Sequence, residues 1–172
     1  MSDSSLNNKV IIITGASSGI GKSLAYSFAS QGARLVLFAR SADKLTALAD
    51  ELVGKGAVVS IVSGDVSKEE DCRQLIHSVM EKYGRIDVLI NNAGQSMRAL
   101  FETADLKVIR QLMDVNFWGA VYCTKYALPE LIKSKGSLVG ISSIAGKKGL
   151  PGRTGYSASK FALEGFLETV RT

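Results

Sequence analysis

The chain has 172 residues, of which 46% are hydrophobic and 22% charged, a composition typical of a folded protein and not of a disordered one. Its 21 basic and 16 acidic residues give a net charge of +5 without a dense basic run, which fits an anionic cofactor or substrate and argues against nucleic-acid binding. No apolar run, residues 10–13 included, is long enough to span a membrane, and residues 1–5 lack a signal-peptide pattern, so we expect a cytoplasmic protein.

The cysteines and the histidine restrict the chemistry further. Cys72 and Cys123 lie in separate helix-like segments, which indicates neither a disulfide scaffold nor a metal site. His77 is the only histidine and stands beside an apolar helical stripe, so we expect it to face water. A Ser-His-Asp hydrolase or a zinc enzyme would have to be built around that one residue, and we therefore expect no metal.

Short β-branched runs alternate with longer amphipathic stretches. We predict strands over residues 9–14, 34–39, 57–62, 86–91 and 137–142, all buried on both faces, and helices over residues 18–31, 43–54, 68–83, 103–133 and from about 155 to the end. Strands separated by helix-length connections indicate a parallel sheet with right-handed crossovers, and we see no internal boundary. The sequence therefore predicts one doubly wound α/β domain over residues 1–172. The residues expected to end helices in a left-handed conformation are Gly32, Gly54, Gly56 and Gly84.

A glycine-rich loop, Thr14-Gly15-Ala16-Ser17-Ser18-Gly19-Ile20-Gly21, follows the first strand and opens a helix. Gly15 can make the sharp turn, Gly19 lets the backbone approach a pyrophosphate, and Gly21 lets the helix pack closely on the sheet. A plain strand-to-helix turn is the alternative interpretation. No Lys-Ser or Lys-Thr pair follows the last glycine, so the loop is not a P-loop.

The second strand is followed by Arg40, at a position where an acidic residue would bind a ribose 2′-hydroxyl. Arginine suits a 2′-phosphate instead, which favours NADP(H) over NAD(H). A solvated arginine at a strand end is the alternative.

Tyr156 and Lys160 are four residues apart and share one face of the last predicted helix. An ammonium group beside a phenol favours the ionised phenolate, and such a tyrosine can exchange a proton with a carbonyl or alcohol oxygen. Tyrosine and lysine also occur at this spacing by chance on many helices, so the pair alone does not decide the function.

Three more features join the glycine loop and the Tyr156–Lys160 pair: Asn91-Asn92-Ala93-Gly94 after the fourth strand, Asn116, and a serine thirteen residues before the tyrosine. With this set the chain resembles the short-chain dehydrogenase/reductase family over residues 8–171. The resemblance implies a Rossmann-type fold, with the cofactor across the carboxyl ends of the strands and with the C-terminal strands of the family missing from this chain.

The resemblance also implies a role for each catalytic residue. Ser143, rather than Ser142, would hydrogen-bond the substrate carbonyl oxygen, and Tyr156 would be the general acid in reduction. Lys160 would support Tyr156 and hold the nicotinamide ribose. Asn116 would anchor a water that links Lys160 to solvent.

For the cofactor, the resemblance implies that Asp65 and Val66 contact the adenine and that residues 92–94 flank its ribose. The implied cofactor-binding residues are Gly15, Ser17, Ser18, Gly19, Ile20, Gly21, Arg40, Asp65, Val66, Asn92, Ala93, Gly94, Tyr156 and Lys160. The expected function is NADP(H)-dependent hydride transfer with a small carbonyl compound or secondary alcohol. The alternative is a non-catalytic or inactive nucleotide-binding fragment of such an enzyme.

The family's helix faces form a four-helix contact, which implies a homodimer or homotetramer. The candidate faces here consist of Phe117, Trp118 and Tyr122, and of Leu163, Phe166, Leu167 and Val170. A basic group around the fifth strand, Lys133, Lys135, Lys147, Lys148 and Arg153, favours either an acidic substrate or a solvated surface.

The last helical pattern is still running at residues 166–171 without a stop signal, so we expect the biological chain to continue past Thr172. Without the rest, the fifth strand would be an open apolar edge, and the chain as given would reduce carbonyls poorly or not at all.

Overall fold

The structure is a computed structural model that describes residues 6–170. Two expectations fall outside this range: the one on a signal peptide concerns residues 1–5, and the one on continuation of the last helix extends over residues 171–172.

Five parallel strands form one sheet, in the order β3-β2-β1-β4-β5. The strands are β1 (Val10–Thr14), β2 (Arg34–Ala39), β3 (Val58–Ser63), β4 (Val88–Asn91) and β5 (Ser137–Gly140). The α-helices are α1 (Gly19–Ala29), α2 (Ala42–Val53), α3 (Glu69–Tyr83), α4 (Leu106–Met113), α5 (Gly119–Ser134) and α6 (Thr154–Val170). This arrangement confirms the predicted α/β class with a parallel sheet.

Helices cover both faces of the sheet. Successive residues of each strand point to opposite faces and so pack against different helices. Val10 and Ile12 of β1 enter one core with residues of α3 and α5, whereas Ile11 and Ile13 enter a second core with residues of α1 and α2. The sheet is therefore doubly wound, as predicted.

The strand order reverses at β1, which lies between β2 and β4. The chain runs outward from β1 through β2 to β3 and then returns to build β4 and β5 on the other side. Loops at the carboxyl ends of β1 and β4 consequently separate and leave a crevice, the position where open α/β sheets bind ligands.

The prediction that all five strands are buried on both faces is wrong for β3 and β5. These are the edge strands, and the exposed fractions of Val58, Ile61 and Val139 are 52%, 39% and 38%. An edge strand has a neighbour on one side only, so less of its surface is covered. The prediction that the fifth strand forms an apolar edge of the described sheet is confirmed.

The helix predicted over residues 103–133 starts later and is interrupted. The Asp105 carboxylate accepts a hydrogen bond of 2.8 Å from the Lys107 amide, which caps α4 at Leu106. Between α4 and α5 the residues Asp114–Trp118 form one π-helical turn. Pro129 lies inside α5.

The glycine prediction is confirmed at Gly32, Gly56 and Gly84, which have positive φ, and is wrong at Gly54. Gly54 keeps a right-handed φ of −59°, and its amide donates to the Asp50 carbonyl at 2.9 Å. The left-handed position falls two residues later, at Gly56.

Cys72 and Cys123, far apart in sequence, meet in the core between α3 and α5. A hydrogen bond with Cys72 and burial both raise the pKa of the Cys123 thiol. The Cys72 thiol also donates to the Val66 carbonyl at 3.4 Å.

His77 lies on the outside of α3 with 72% of its side chain exposed, as predicted. Within residues 6–170 no helix is both long and apolar enough to cross a bilayer.

Candidate active site

A cleft of about 440 Å³ lies along the carboxyl ends of the strands, from the glycine loop to α6. Most residues of the predicted site line it: Gly15, Ser17, Ser18, Gly19, Ile20, Arg40, Asp65, Val66, Asn92, Ala93, Gly94, Tyr156 and Lys160. Three predicted residues, Gly21, Asn116 and Ser143, are not among the lining residues. The crevice expected from the strand order and the predicted site thus coincide.

The glycine loop has the predicted geometry. Gly15 has a φ of +66°, and a Cβ there would lie 2.8 Å from Ala93 Cα, so the turn requires glycine for both conformation and space. A Cβ on Gly21 would lie 2.5 Å from Asn92 Nδ2, so glycine at this position lets α1 pack closely on the end of β4; Gly21 does not line the cleft. Gly19 has a φ of +54° and open space where a Cβ would be. The open side of the loop therefore faces the cleft.

Hydrogen bonds join the glycine loop to the end of β4. The buried Thr14 hydroxyl accepts from the amides of Asn92 and Ala93, both at 3.0 Å, and donates to the Ile90 carbonyl at 3.2 Å. The Asn92 side-chain amide donates to the Thr14 carbonyl at 2.8 Å and to the Gly15 carbonyl at 3.2 Å. The adjacent strand ends are therefore held as one rigid floor.

The N-terminus of α1 lies at the cleft. Ser18 precedes the helix in an extended conformation and makes no side-chain capping hydrogen bond, and the first turn of α1 has no acidic residue. The amide groups of that turn and the positive end of the helix dipole remain available to an anion. Together with the open space at Gly19, these donors fit the pyrophosphate of a dinucleotide.

Arg40 and Asp65 form the far end of the cleft. The Arg40 guanidinium Nη1 lies 3.9 Å from Asp65 Oδ2, and 61% of the Arg40 side chain is exposed. The other carboxylate oxygen of Asp65 accepts hydrogen bonds from the amide and hydroxyl of Ser67, at 3.0 and 2.8 Å. Asp65 is therefore fixed, whereas Arg40 keeps donors for a ligand.

Tyr156 and Lys160 stand at the opposite end, on α6. Lys160 Nζ lies 5.9 Å from the centre of the Tyr156 ring and donates to the Ile141 carbonyl at 2.7 Å. Lys160 is only 4% exposed, and burial lowers the pKa of its ammonium group, while the carboxylate of Glu164 acts in the opposite direction. The pair combines a half-buried phenol with a cation that is confined beside it.

Asn116 lies at the centre of the π-helical turn and is 2% exposed. Its oxygen accepts from the Gln95 amide at 2.7 Å, and its nitrogen donates to the Gln95 carbonyl and the Ser159 hydroxyl, both at 2.9 Å. Ser159 precedes Lys160 on α6, and Gln95 lines the cleft. Asn116 therefore fixes the loop after β4 to the helix that carries Lys160.

The two serines after β5 differ in position. Ser142 lines the cleft, whereas the Ser143 hydroxyl accepts a hydrogen bond of 3.1 Å from the Ala145 amide and caps the short 3₁₀ helix Ile144–Gly146. The role of Ser143 toward a substrate stays a prediction, and the structure adds Ser142 to the candidates.

The cleft has seven lining residues that were not predicted from the sequence, and an eighth, Ser142, that was set aside in favour of Ser143. The seven are Ala39, Ser41, Gly64, Gln95, Ser96, Val115 and Ile141. All except Val115 lie at or just after the carboxyl end of a strand. That position is itself a sequence signal, since ligands of such sheets bind there.

Comparison with known proteins agrees with this geometry. A sequence profile described as short chain dehydrogenase matches residues 9–172. The chain belongs to the short-chain dehydrogenase family. It is 43% identical over 168 residues to "11-beta-hydroxysteroid dehydrogenase-like 4A" of Arabidopsis thaliana, covering 96% of this chain and 56% of that protein. It is 47% identical over 165 residues to "11-beta-hydroxysteroid dehydrogenase A" of Sesamum indicum, covering 95% and 47%.

Solved structures of short-chain dehydrogenases are also similar. An alcohol dehydrogenase from the archaeon Thermococcus sibiricus, complexed with 5-hydroxy-NADP, superposes with a TM-score of 0.94 at 32% identity, covering 96% of this chain and 71% of that one. A short chain dehydrogenase/reductase from Burkholderia phymatum in complex with NAD gives 0.92 at 30% identity, covering 96% and 59%. The chain spans about half the length of the curated relatives it matches.

Proposed function

We propose that this short-chain dehydrogenase is an NADP(H)-dependent oxidoreductase that acts on a small carbonyl compound or secondary alcohol. The observation that carries the proposal is the Tyr156–Lys160 pair at one end of a cleft whose other end begins at an anion-accepting helix N-terminus. A protein that only bound a nucleotide would not need the first of these features.

The cleft residues suit a nicotinamide dinucleotide along the whole floor. The amides at the start of α1, with Ser17 and Ser18, would hold the pyrophosphate, and Asp65 and Val66 would border the adenine. Residues 92–94 would flank the adenine ribose. When bound, the cofactor supplies a hydride for the carbonyl carbon, and the protein supplies position and polarisation.

The preference for NADP(H) rests on Arg40. Its guanidinium is largely exposed, lines the cleft and has a carboxylate neighbour only at 3.9 Å, so it retains donors for a 2′-phosphate. Asp65 limits the preference, because its negative charge lies on the same side and would repel the phosphate. We therefore propose a preference for NADP(H) and not an exclusion of NAD(H).

Tyr156 transfers the proton in the proposed reaction. During reduction its hydroxyl donates a proton to the carbonyl oxygen, and the charged Lys160 stabilises the phenolate that remains. The Ser142 and Ser143 hydroxyls are the candidates for a hydrogen bond to the same oxygen. Asn116 acts indirectly, since it fixes Gln95, which lines the cleft, and Ser159, which precedes Lys160 on α6.

The test is Tyr156→Phe, compared with Tyr126→Phe as the matched control. Tyr126 lies on α5, and its hydroxyl donates to Glu69 on the surface at 2.7 Å. In an active form of the protein, Tyr156→Phe should abolish NADPH-dependent ketone reduction and leave NADPH affinity nearly unchanged, while Tyr126→Phe should retain both. Substantial reduction by Tyr156→Phe would refute the mechanism.

The same measurements separate the two candidate functions. Saturable NADPH binding without consumption of NADPH against a panel of ketones would support the nucleotide-binding fragment instead.

A homodimer or homotetramer is part of the proposal. Trp118 is 43% exposed, stacks on Tyr122 with ring centres 5.7 Å apart, and contacts the edge of Phe117. Leu163, by contrast, is 1% exposed and belongs to the chain's own core, so the expected face on α6 is narrower than the sequence suggested. Sedimentation velocity on the protein measures the oligomeric state directly.

A further inference from the structure

Two arginines belong to the loops that border the cleft on the Tyr156 side. Arg98 belongs to the loop after β4, and Arg153 immediately precedes α6. The two loops are joined where the Ala99 amide donates to the Gly152 carbonyl at 2.9 Å. The position of a Cβ on Gly152 would be 3.9 Å from Arg98 Cγ. Two loops from different parts of the chain, each carrying an arginine, therefore meet beside the cleft.

Arg153 is held in a defined position there. Its Nη1 donates to the Ser96 hydroxyl at 2.5 Å, and Ser96 lines the cleft. The guanidinium carbon lies 5.9 Å from the centre of the Tyr156 ring. Lys160 lies at the same distance from that ring. Tyr156 is thus accompanied by two cations, and Arg153 is the more exposed of them.

The charge of Arg153 has no carboxylate partner in the part of the chain that the structure describes. None of the ion pairs among residues 6–170 includes Arg98 or Arg153. Asp65 is the only acidic residue among those that line the described cleft, and it belongs to the Arg40 end. A guanidinium presents five donors, and Ser96 uses one of them.

Two other members of the basic group are paired with carboxylates, whereas Lys135 and Lys148 are in no ion pair among the described residues and are not observed in contact with Tyr156. Lys133 pairs with Glu130 at 2.6 Å, and Lys147 pairs with Glu164 at 2.9 Å. Carboxylates on the protein surface neutralise the charges of these two lysines, which agrees with the alternative that the basic group forms a solvated surface. Arg153 is the member of the basic group that is ordered beside Tyr156 and uncompensated.

We infer that Arg153, assisted by Arg98, binds an oxyanion of the substrate, so that the natural substrate is a carbonyl compound or alcohol carrying a carboxylate or phosphate. This inference rests on the proposed function for the identity of the reacting group beside Tyr156. A guanidinium binds either oxyanion through two parallel hydrogen bonds, and its position by the Tyr156 ring would orient the neighbouring carbonyl toward the phenol.

The test compares matched pairs of probes that differ in charge. The carboxylate pair is 4-oxopentanoate and methyl 4-oxopentanoate, and the phosphate pair is acetonyl phosphate and hydroxyacetone. Binding to the protein is measured by calorimetry in the presence of saturating NADP⁺, the oxidised cofactor, which cannot reduce a ketone. A charge-assisted contact at this partly exposed site should make one anionic probe bind about tenfold more tightly than its neutral partner. The pair with the larger ratio identifies the oxyanion.

The variants locate the effect. Arg153→Met should bring the ratio of affinities close to one, Arg98→Met should reduce it in part, and Arg153→Lys should keep some of it. Lys148→Met is the matched control, because it removes one exposed positive charge near Arg153 and should leave the ratio unchanged. The preference should also weaken as ionic strength rises.

Two results would overturn the inference: equal affinities for the charged and neutral probes, or a preference that survives in Arg153→Met. NADPH affinity is measured separately on the same samples. If NADPH binds and no charge preference appears, the inference fails and the proposed function stands. If the Arg153-dependent preference appears without NADPH binding, the oxyanion site stands and the proposed function fails.

Discussion

An added methyl group should have different effects at two glycines of the glycine loop. Gly21→Ala should destabilise the fold, because the new Cβ would lie 2.5 Å from both Asn92 Nδ2 and the Gly15 carbonyl oxygen. Gly19→Ala should mainly reduce cofactor affinity, because no atom lies within 4 Å of its new Cβ. The open space there is the space that the proposed pyrophosphate needs.

The size of the Gly21→Ala effect follows from the distances. Ordinary contact requires about 3.4 Å, so α1 or Asn92 must move by about 1 Å. Overpacking of this kind costs about 1–3 kcal/mol, and loss of the two Asn92 side-chain hydrogen bonds adds about 1 kcal/mol each. The higher helix propensity of alanine offsets about 1 kcal/mol of this loss in unfolding free energy. The net loss of unfolding free energy is about 2–4 kcal/mol, which lowers Tm by about 10 °C for a chain of this size.

For Gly19→Ala the stability cost is smaller. Its φ of +54° places an alanine in the left-handed region, which costs about 1 kcal/mol. Urea unfolding followed by circular dichroism measures both variants, and NADPH fluorescence titration measures affinity. The reasoning is refuted if Gly21→Ala is as stable as the wild type, or if Gly19→Ala binds NADPH as tightly as the wild type.

Two further predictions concern charged groups. Asp87 is 3% exposed; burial alone would raise the pKa of its carboxyl group, but hydrogen bonds from Arg85, the Val10 amide and Lys9 outweigh burial and lower it. Asp87→Asn should therefore lower the free energy of unfolding, measured by urea unfolding near neutral pH, by about 2–4 kcal/mol. This difference from the wild type should be present above about pH 4 and should vanish as the pH falls through the pKa of Asp87 in the folded state. An unchanged difference at pH 2 would contradict this. Arg40→Ala should reduce NADPH affinity by about tenfold and leave NADH affinity nearly unchanged in fluorescence titrations, and equal losses for both cofactors would rule out a 2′-phosphate contact.

Much of the fold could be predicted because local patterns determine it. β-branched runs separated by helix-length stretches allow few topologies other than a parallel sheet, and the glycine loop marks the end of β1. The pattern does not say which strand is at an edge, since β3 and β1 are both apolar runs. Only the pairing reveals that β3 has a neighbour on one side.

The helix ends show a similar limit. Gly54 and Gly56 both follow α2, and either residue suits a left-handed position. The left-handed position at Gly56 follows a turn after the end of α2, in which the Gly56 amide donates to the Val53 carbonyl at 2.8 Å. The π-helical turn around Asn116 has no comparable sequence signal, because it depends on contacts with Gln95 and Ser159.

The candidate site was predictable where it lies in contiguous motifs and not where distant segments meet. The glycine loop and the Tyr156–Lys160 spacing are visible in the chain. The contact between Ser96 and Arg153 is not, because it joins residues 57 positions apart. The contact between Cys72 and Cys123 is likewise tertiary, and the Cys72 thiol also donates to the carbonyl of Val66, which lines the cleft.

The two ends of the cleft have different structural support. The glycine-loop end is built on β1 and β4, central strands whose ends are joined by the buried Thr14 hydroxyl. The Tyr156 end depends on β5, since Lys160 donates to the Ile141 carbonyl just past that strand. β5 is an edge strand of the described sheet and pairs with β4 alone, whereas β1 pairs with strands on both sides. Fewer strand contacts therefore support the position of Lys160 than support the glycine loop.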